Sequence, residues 1–308
     1  MTSDRPFDRG SYAYAVGRVR ALEGSLLDRA KWNRLLEIDG EAQGVRLLRE
    51  FGYGVGADTL DGMIRSELER AQTLIREVSP DPGITDLFLL PTDAHNLKVS
   101  LKARLAGSDP AALLLQSGVF PPELWDACVR SDSFLPLKQA SPLGEALAGR
   151  LEGVTALREP RLLSAAVDRA VYGVILDAAR RGGNRLVQRY FEMQIACLNR
   201  LSERRAARLH WEPAALAPML LPLPPAREDD PGGEPIVPID EGDSPAAAEG
   251  KMNRALAAML REQRDDAFGV APLLYYLQAR RAEAASLRVL FAAKRSGHTP
   301  SLDEVAFD

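Results

Sequence analysis

Cysteine and histidine are scarce in this chain: two and three among 308 residues. Cys128 and Cys197 lie far apart with no CxxC or Cys/His spacing around either, so neither a disulfide framework nor a zinc site is supported, and a reducing compartment is the simplest expectation. His95, His210 and His298 stand beside no Ser or Cys nucleophile motif, which leaves histidine-assisted nucleophilic catalysis without a candidate. Charge of one sign is missing too: 39 Lys+Arg face 43 Asp+Glu, a net −4, with none of the basic excess of a nucleic-acid binder. Long apolar runs are absent. The uncharged stretch from Pro213 to Ala226 has 14 residues and five prolines, where a membrane span needs about 20 mostly apolar ones. The opening MTSDRPFDRGSYAYAVGRVR is charged throughout and lacks the apolar core of a secretory leader. No GxxxxGK[ST] phosphate loop occurs.

Aromatics make up only 6% of the chain, while Ala, Leu and Arg abound. Strands favour β-branched and aromatic side chains, whereas unbranched aliphatic and long charged ones lose little rotamer freedom in a helix, so the composition predicts an all-α fold. Periodicity agrees. Tyr12, Val16, Val19, Leu22 and Leu26 recur at helical spacing, as do Leu35, Leu36, Val45, Leu47 and Leu48, then Leu60, Ile64, Leu68, Leu74 and Ile75. Asp39-Gly40, Gly52-Tyr53-Gly54-Val55-Gly56 and Pro80-Asp81-Pro82-Gly83 punctuate them. The same grammar continues through Pro122–Val129, Pro142–Leu151, Pro160–Arg181 and Asn184 to about Leu209, and no period-2 run appears.

The grammar breaks at residues 212–250, which hold nine of the 21 prolines, four glycines, nine acids and one base, a net −8. That density of proline predicts a flexible acidic insert without helix. The other 269 residues carry +4, so the near-neutral total conceals a mildly basic frame and one acidic segment. Helical pattern resumes at Lys251, pauses near Phe268-Gly269, and ends near Gly297.

Three helical segments resemble one another. Asp93, Asn96, Leu97, Lys98, Arg104 and Gly107 match Glu283, Ser286, Leu287, Arg288, Lys294 and Gly297 position for position, and between them Ala196, Asn199, Arg204 and Arg205 keep the amide and trailing bases but lose the acid. Phe88 and Phe191 stand five residues upstream, Tyr276 seven. The recurrence predicts three similar subdomains, with boundaries at 11–110, 111–211 and 251–300 around the 212–250 insert. On a helix, Asp93, Leu97 and Arg104 share a face, as do Glu283, Leu287 and Lys294. Charges inside an apolar stripe cost desolvation unless paired. They would therefore meet across subdomain seams or line a polar cavity for a partner; the plainer alternative is a solvated face with weak ion pairs.

Other motifs are weak. Gly52, Gly54 and Gly56 follow no strand and read as a turn. Asp265-Asp266 begins a DDxxD-like metal box but position 269 is Gly, so a helix-terminal acid pair is the reading. No catalytic, cofactor-binding or metal-binding residue is expected.

The opening Tyr12–Leu27 run, the Asp93-Ala-His-Asn96-Leu97-Lys98 helix, and Pro272-Leu-Leu-Tyr-Tyr276 with Glu283–Lys294 resemble the AC39 family, the C-type subunits of V/A-type rotary ATPases, whose eukaryotic counterpart is the d-type subunit of the V-ATPase. The resemblance runs from Ser11 to Gly297 apart from 212–250. It implies three like subdomains about a pseudo-threefold axis, forming a funnel. It also implies a non-catalytic central-stalk part on the cytoplasmic side of the plasma membrane, peripheral to the bilayer. There the subunit receives the central-shaft subunits and sits on the membrane proteolipid ring near the membrane stator subunit, coupling ATP turnover to proton or sodium movement. Asp93, Asn96, Lys98, Arg104, Asn199, Glu283, Arg288 and Lys294 are its family-pattern positions. Ala196 and the acidic stretch depart from the pattern. A helical-repeat scaffold unrelated to ATPases is the competing expectation.

Overall fold

The computed structural model describes residues 11–223, 238–243, 245–298 and 300–305. Among them there are helices and turns and no strand, as the composition predicts. In chain order the helices are α1 (Tyr12–Glu23), α2 (Arg29–Glu37), α3 (Glu41–Glu50), α4 (Leu60–Val78), α5 (Pro82–Thr85), α6 (Leu90–Ala106), α7 (Pro122–Ser131), α8 (Leu135–Ala140), α9 (Pro142–Arg150), α10 (Pro160–Arg181), α11 (Arg185–Arg208), α12 (Pro213–Leu216), α13 (Pro245–Arg261), α14 (Ala271–Arg295) and α15 (Leu302–Val305).

Helix starts follow local chemistry. The side chains of Ser11, Asp28, Thr59, Ser141 and Asn184 each accept a hydrogen bond from a free amide of the first turn, which satisfies donors that the helix itself cannot. Proline opens α7, α9, α10 and α12, where its missing N–H costs nothing and its fixed φ suits the first turn.

The chain divides into two compact units, residues 1–82 with 238–308 and residues 83–237. In the first, Trp32, Leu35, Leu48, Met63 and Ile64 from α2, α3 and α4 close around Leu287, Leu290 and Phe291 of α14, so both chain ends share one core. In the second, α6 and α10 pack together and α10 packs on α11. The upstream aromatics of the first two repeated segments meet there, Phe88 and Phe191 with ring centroids 4.7 Å apart.

The proline-based expectation for 212–250 is corrected at both ends. Pro213 begins α12, Ala217–Met219 forms a 3₁₀ turn, and α13 begins at Pro245 rather than Lys251. Proline breaks a helix only when it falls beyond the first turn, and Pro213 and Pro245 do not. Residues 224–237, the central part of the acidic stretch, lie outside the described residues.

The three similar helices stop in the same way. Gly107, His210 and Gly297, each fourteen residues after the position of Asp93, Ala196 or Glu283, have φ of 65°, 52° and 75°. The next amide reaches back five residues in every case: Ser108 to Ala103 at 3.0 Å, Trp211 to Ala206 at 2.9 Å and His298 to Ala293 at 2.9 Å. This is the left-handed helix stop that glycine favours. In the middle helix a histidine occupies it, so the motif was hidden from a search for glycine. His210→Gly is expected to raise unfolding stability by about 1 kcal/mol and Gly107→Ala or Gly297→Ala to lower it by a similar amount, as read by urea melts. A destabilised His210→Gly would mean that the imidazole contributes more than the strain removes.

Candidate functional site

The recurring polar residues hold backbone. On α6, Asp93 is fully buried and its carboxylate accepts the amides of Val119 at 2.7 Å and Phe120 at 3.0 Å and the Trp125 indole N–H at 3.0 Å. These two amides lie one and two residues before Pro121, the N-cap of α7. At the other end of α7, Arg104 donates to the carbonyl of Val129 at 3.0 Å, and it reaches on to that of Thr155 at 2.6 Å and to Asp132 at 3.1 Å. One helix thus grips its neighbour at both ends: an acid at the amides just before its start and a base at a carbonyl of its last turn, the signs that a helix dipole favours.

α14 grips α2 in the same manner. Glu283 accepts the amide of Leu27, immediately before the α2 N-cap Asp28. Lys294 donates to the Leu36 and Ile38 carbonyls at 2.8 and 2.7 Å, at the end of α2. Since α2 lies near the start of the chain and α14 near its end, this clamp fastens the two together.

On α11 only the amide latch survives. Asn199 donates to the Leu221 carbonyl at 3.0 Å and accepts its amide at 2.7 Å. Asn96 does the same with Leu115, at 2.8 and 2.9 Å. The clamp trio of Asp93, Leu97 and Arg104 becomes Ala196, Arg200 and Ala207. Leu97 is fully buried, whereas Arg200 is half-buried and meets Glu203 at 3.6 Å. An arginine where the spacer must be apolar cannot let a second helix close on that face.

The remaining expected positions fall into place around these clamps. Lys98 pairs with Asp168 at 2.7 Å, tying α6 to α10. Arg288 is exposed. Asp93, Asn96 and Glu283 are nearly inaccessible, so the picture of a solvated face does not describe them. Residues that sequence reasoning missed complete the two sites. Gly118 lets its loop lie against Asp93, since a Cβ there would stand 2.6 Å from Oδ1. In the first unit Arg280, buried like Glu283, pairs with it at 2.9 Å and approaches Glu67 of α4 at 3.6 Å. Glu67 in turn accepts the Gly54 amide at 3.0 Å and meets Arg70 at 2.8 Å. The guanidinium also lies 5.5 Å from the Tyr276 ring and 5.9 Å from that of Tyr53.

Two buried carboxylates share one buried guanidinium, and the titration reflects it. Burial pushes Glu283 up from 4.5 to about 6, against the opposing pull of Arg280 and the Leu27 amide, with Glu67 adding to the rise. Burial first, then Glu283, raises the Tyr53 phenol, while Arg280 and Arg288 pull it down. Burial likewise raises the Cys197 thiol to about 11 and the Cys128 thiol more modestly. Both cysteines are therefore protonated at neutral pH and poor nucleophiles. His95 donates to the Leu113 carbonyl at 3.1 Å. Among the described residues no group of His, Cys, Asp and Glu is placed to hold a metal ion, and no helix is long and apolar enough to cross a membrane. A groove of about 770 Å³ in the second unit is lined by Arg150, Val154, Leu157, Leu162, Arg169 and Pro222 among others, and by none of the clamp residues.

Two measurements probe the clamps. Gly118→Ala is expected to cost about 1–3 kcal/mol by forcing the loop off Asp93; urea unfolding as stable as the parent would show that the loop yields freely. For Glu283, a folded pKa above the unfolded one means that the folded state holds the extra proton between pH 4.5 and 6. Its contribution favours folding below that window and is lost as pH rises through about 6. The stability gap between the parent and Glu283→Gln should therefore shift by about 1–2 kcal/mol across the window, and parallel stability-against-pH curves would contradict this.

A search among curated proteins finds no match. A family model described as ATP synthase (C/AC39) subunit matches residues 15–223, about two thirds of the chain, spanning α6 and α11 with their Asn latches. The α14 clamp lies beyond that match and repeats the α6 device. The chain accordingly belongs to the ATP synthase (C/AC39) subunit family, whose members are accessory subunits of V/A-type rotary ATPases.

Proposed function

We propose that the protein is the non-catalytic central-stalk subunit of a V/A-type rotary ATPase, passing torque between the rotating shaft and the membrane proteolipid ring. The observation that carries the reading is the two-ended clamp, present on α6 and again on α14. A part that transmits torque must resist shear between neighbouring helices. Fixing a helix by the amides just before its start and the carbonyls at its end resists sliding in both directions, because each displacement breaks charge-assisted hydrogen bonds worth about 1.5–3 kcal/mol apiece. The proposal includes three like subdomains (11–110, 111–211 and 251–300, around the 212–250 insert) about a pseudo-threefold axis, a cytoplasmic-side location, and the shaft, ring and stator as neighbours.

In this reading the clamp residues serve the frame and exposed positions of the same helices serve the partners. Arg288, exposed on α14, is the family-pattern position free to do so. A tagged copy, recovered from gently solubilised membranes, should bring shaft and proteolipid ring subunits with it. Arg288→Glu should lower that recovery several-fold while leaving the melting temperature unchanged, because surface substitutions shift stability by only about 0.5 kcal/mol. Recovery free of shaft and ring subunits from membranes with active ATPase would overturn the assignment. A helical scaffold unrelated to ATPases is what that outcome would leave standing.

A further inference from the structure

The α1–α2 turn, residues 24–28, covers the buried ionic cluster of the first unit. Its hydrogen bonds to distant groups go, among the described residues, to α14: the Leu27 amide donates to Glu283 and the Ser25 hydroxyl accepts from the Arg280 guanidinium. Its other bonds are local. Ser25 and Leu26 turn back on Leu22 and Glu23, Lys31 donates to the Leu26 carbonyl at 2.8 Å, and Asp28 caps α2. Gly24, Ser25 and Asp28 are exposed, whereas Glu283 and Arg280 beneath them are each 2% accessible. One turn of chain therefore separates a buried carboxyl from solvent. Core elements close its other sides. α14 itself contributes Arg280, 2.9 Å from the carboxyl, and Tyr276, whose hydroxyl accepts from Arg280 at 3.3 Å. α4 contributes Glu67, already held by the Gly54 amide and Arg70. The α3–α4 turn contributes Tyr53, a buried phenol whose hydroxyl is bonded by no group among the described residues. α13 meets α14 there through the uncharged Asn253 and Gln278, at 3.2 Å. Charges on the remaining neighbours are engaged elsewhere, Arg20 of α1 with Asp265 and Glu41 of α3 with Arg295, and Arg288 of α14 is exposed.

A carboxylate sealed in this way pays for its burial, and a neutral carboxyl does not. Hydration can be restored on one side with little disruption: lifting the turn breaks two hydrogen bonds to α14, whereas admitting water from any other side means separating packed helices. Against that gain stand the pull of Arg280 and the Leu27 amide. Burial outweighs both, so the ionised carboxylate favours the lifted turn and the neutral acid the closed one. We propose that the α1–α2 turn is a proton-operated latch over Glu283, shut while the carboxyl is neutral and opening to solvent as it ionises, with the flanking helices still packed. The latch works at one end of the α14 clamp only. Lys294 holds the Leu36 and Ile38 carbonyls at the other end of α2 in both states, so the chain start stays fastened while its first turn is released.

The Leu27 amide reports the latch directly, because its hydrogen bond is the one that opens. Amide exchange of the full-length chain, followed by NMR and corrected for the intrinsic pH dependence of exchange, gives its opening constant. With the carboxyl at about 6 under the turn and 4.5 in water, that constant should rise about 15-fold from pH 4.5 to 7. At every pH Leu27 should exchange at least about tenfold faster than the core amides of Ile64 and Leu287, the mark of a local opening. Glu283→Gln keeps an acceptor for Leu27 but cannot ionise, so it should flatten the pH dependence. Ser25→Ala should raise the opening constant several-fold at every pH and leave its pH dependence as in the parent. Leu27 exchanging as slowly as Ile64 and Leu287 would overturn the proposal, since the turn would then open only when the whole unit unfolds. So would an opening constant indifferent to pH, or one that rises equally in Glu283→Gln. Should Glu283→Gln not fold, the carboxyl ¹³C shift of Glu283 in the parent must titrate over the same pH range as the Leu27 opening constant, and a mismatch would equally refute the latch.

Discussion

The structure depends on one recurring interaction: ionic side chains on a long helix that hold the backbone of a neighbouring helix, at the amides just before its start and the carbonyls at its end. Every α-helix has carbonyls at its finish that cannot bond internally, and the amides that precede its N-cap lie outside its ladder. Here α6 supplies Asp93 for the approach to α7 and Arg104 for its end, and α14 supplies Glu283 and Lys294 to α2. The arrangement solves two problems together. The acids are buried in a stripe where unpaired they would be prohibitive, and the neighbours are short helices, α2 of nine residues and α7 of ten, which have little stability of their own. Each problem is the remedy for the other.

The first unit carries an added complication, since Glu283 must hold the Leu27 amide while sharing Arg280 with Glu67. Burial prevails over the pull of Arg280 and the Leu27 amide, with Glu67 adding to the rise, so the Glu283 proton stays on up to about pH 6. Asp93 is held instead by two amides and an indole N–H. The device is the same, but the α14 copy can change charge under mild acid. Removing Arg280 would leave Glu283 buried without its charged partner, which is far more damaging than the pair is beneficial.

Much of this was legible in the sequence, because helices announce themselves by period and caps by residue type. The three-copy spacing could be read because the acid, the base and the stop residue sit at fixed distances along one helix. What those residues touch could not be read, since the partners lie 25 to 51 residues away in the case of Asp93 and Arg104 and about 256 in the case of Glu283. Gly118 and Arg280 stayed invisible for the same reason: Gly118 looks like any loop glycine until the carboxylate beside it is placed, and Arg280 is one arginine among many on α14. His210 concealed the third helix stop because a positive φ is written in the backbone and only usually in the residue. Proline misled at Pro213 and Pro245, where position within the helix matters more than density.

The departure of the middle copy makes sense in these terms. Once Ala196, Arg200 and Ala207 stand where acid, apolar spacer and base belong, α11 carries no ionic pair with which to fasten a neighbouring helix by its two ends. After α11 comes the start of the proline-rich acidic stretch, which Asn199 holds at Leu221 and Arg169 holds at the Leu220 carbonyl, 2.6 Å away. The latch survives because it needs no buried charge: an amide that both donates to and accepts from one backbone residue is satisfied by that residue alone, whereas the ionic clamp holds only while a whole helix lies across it.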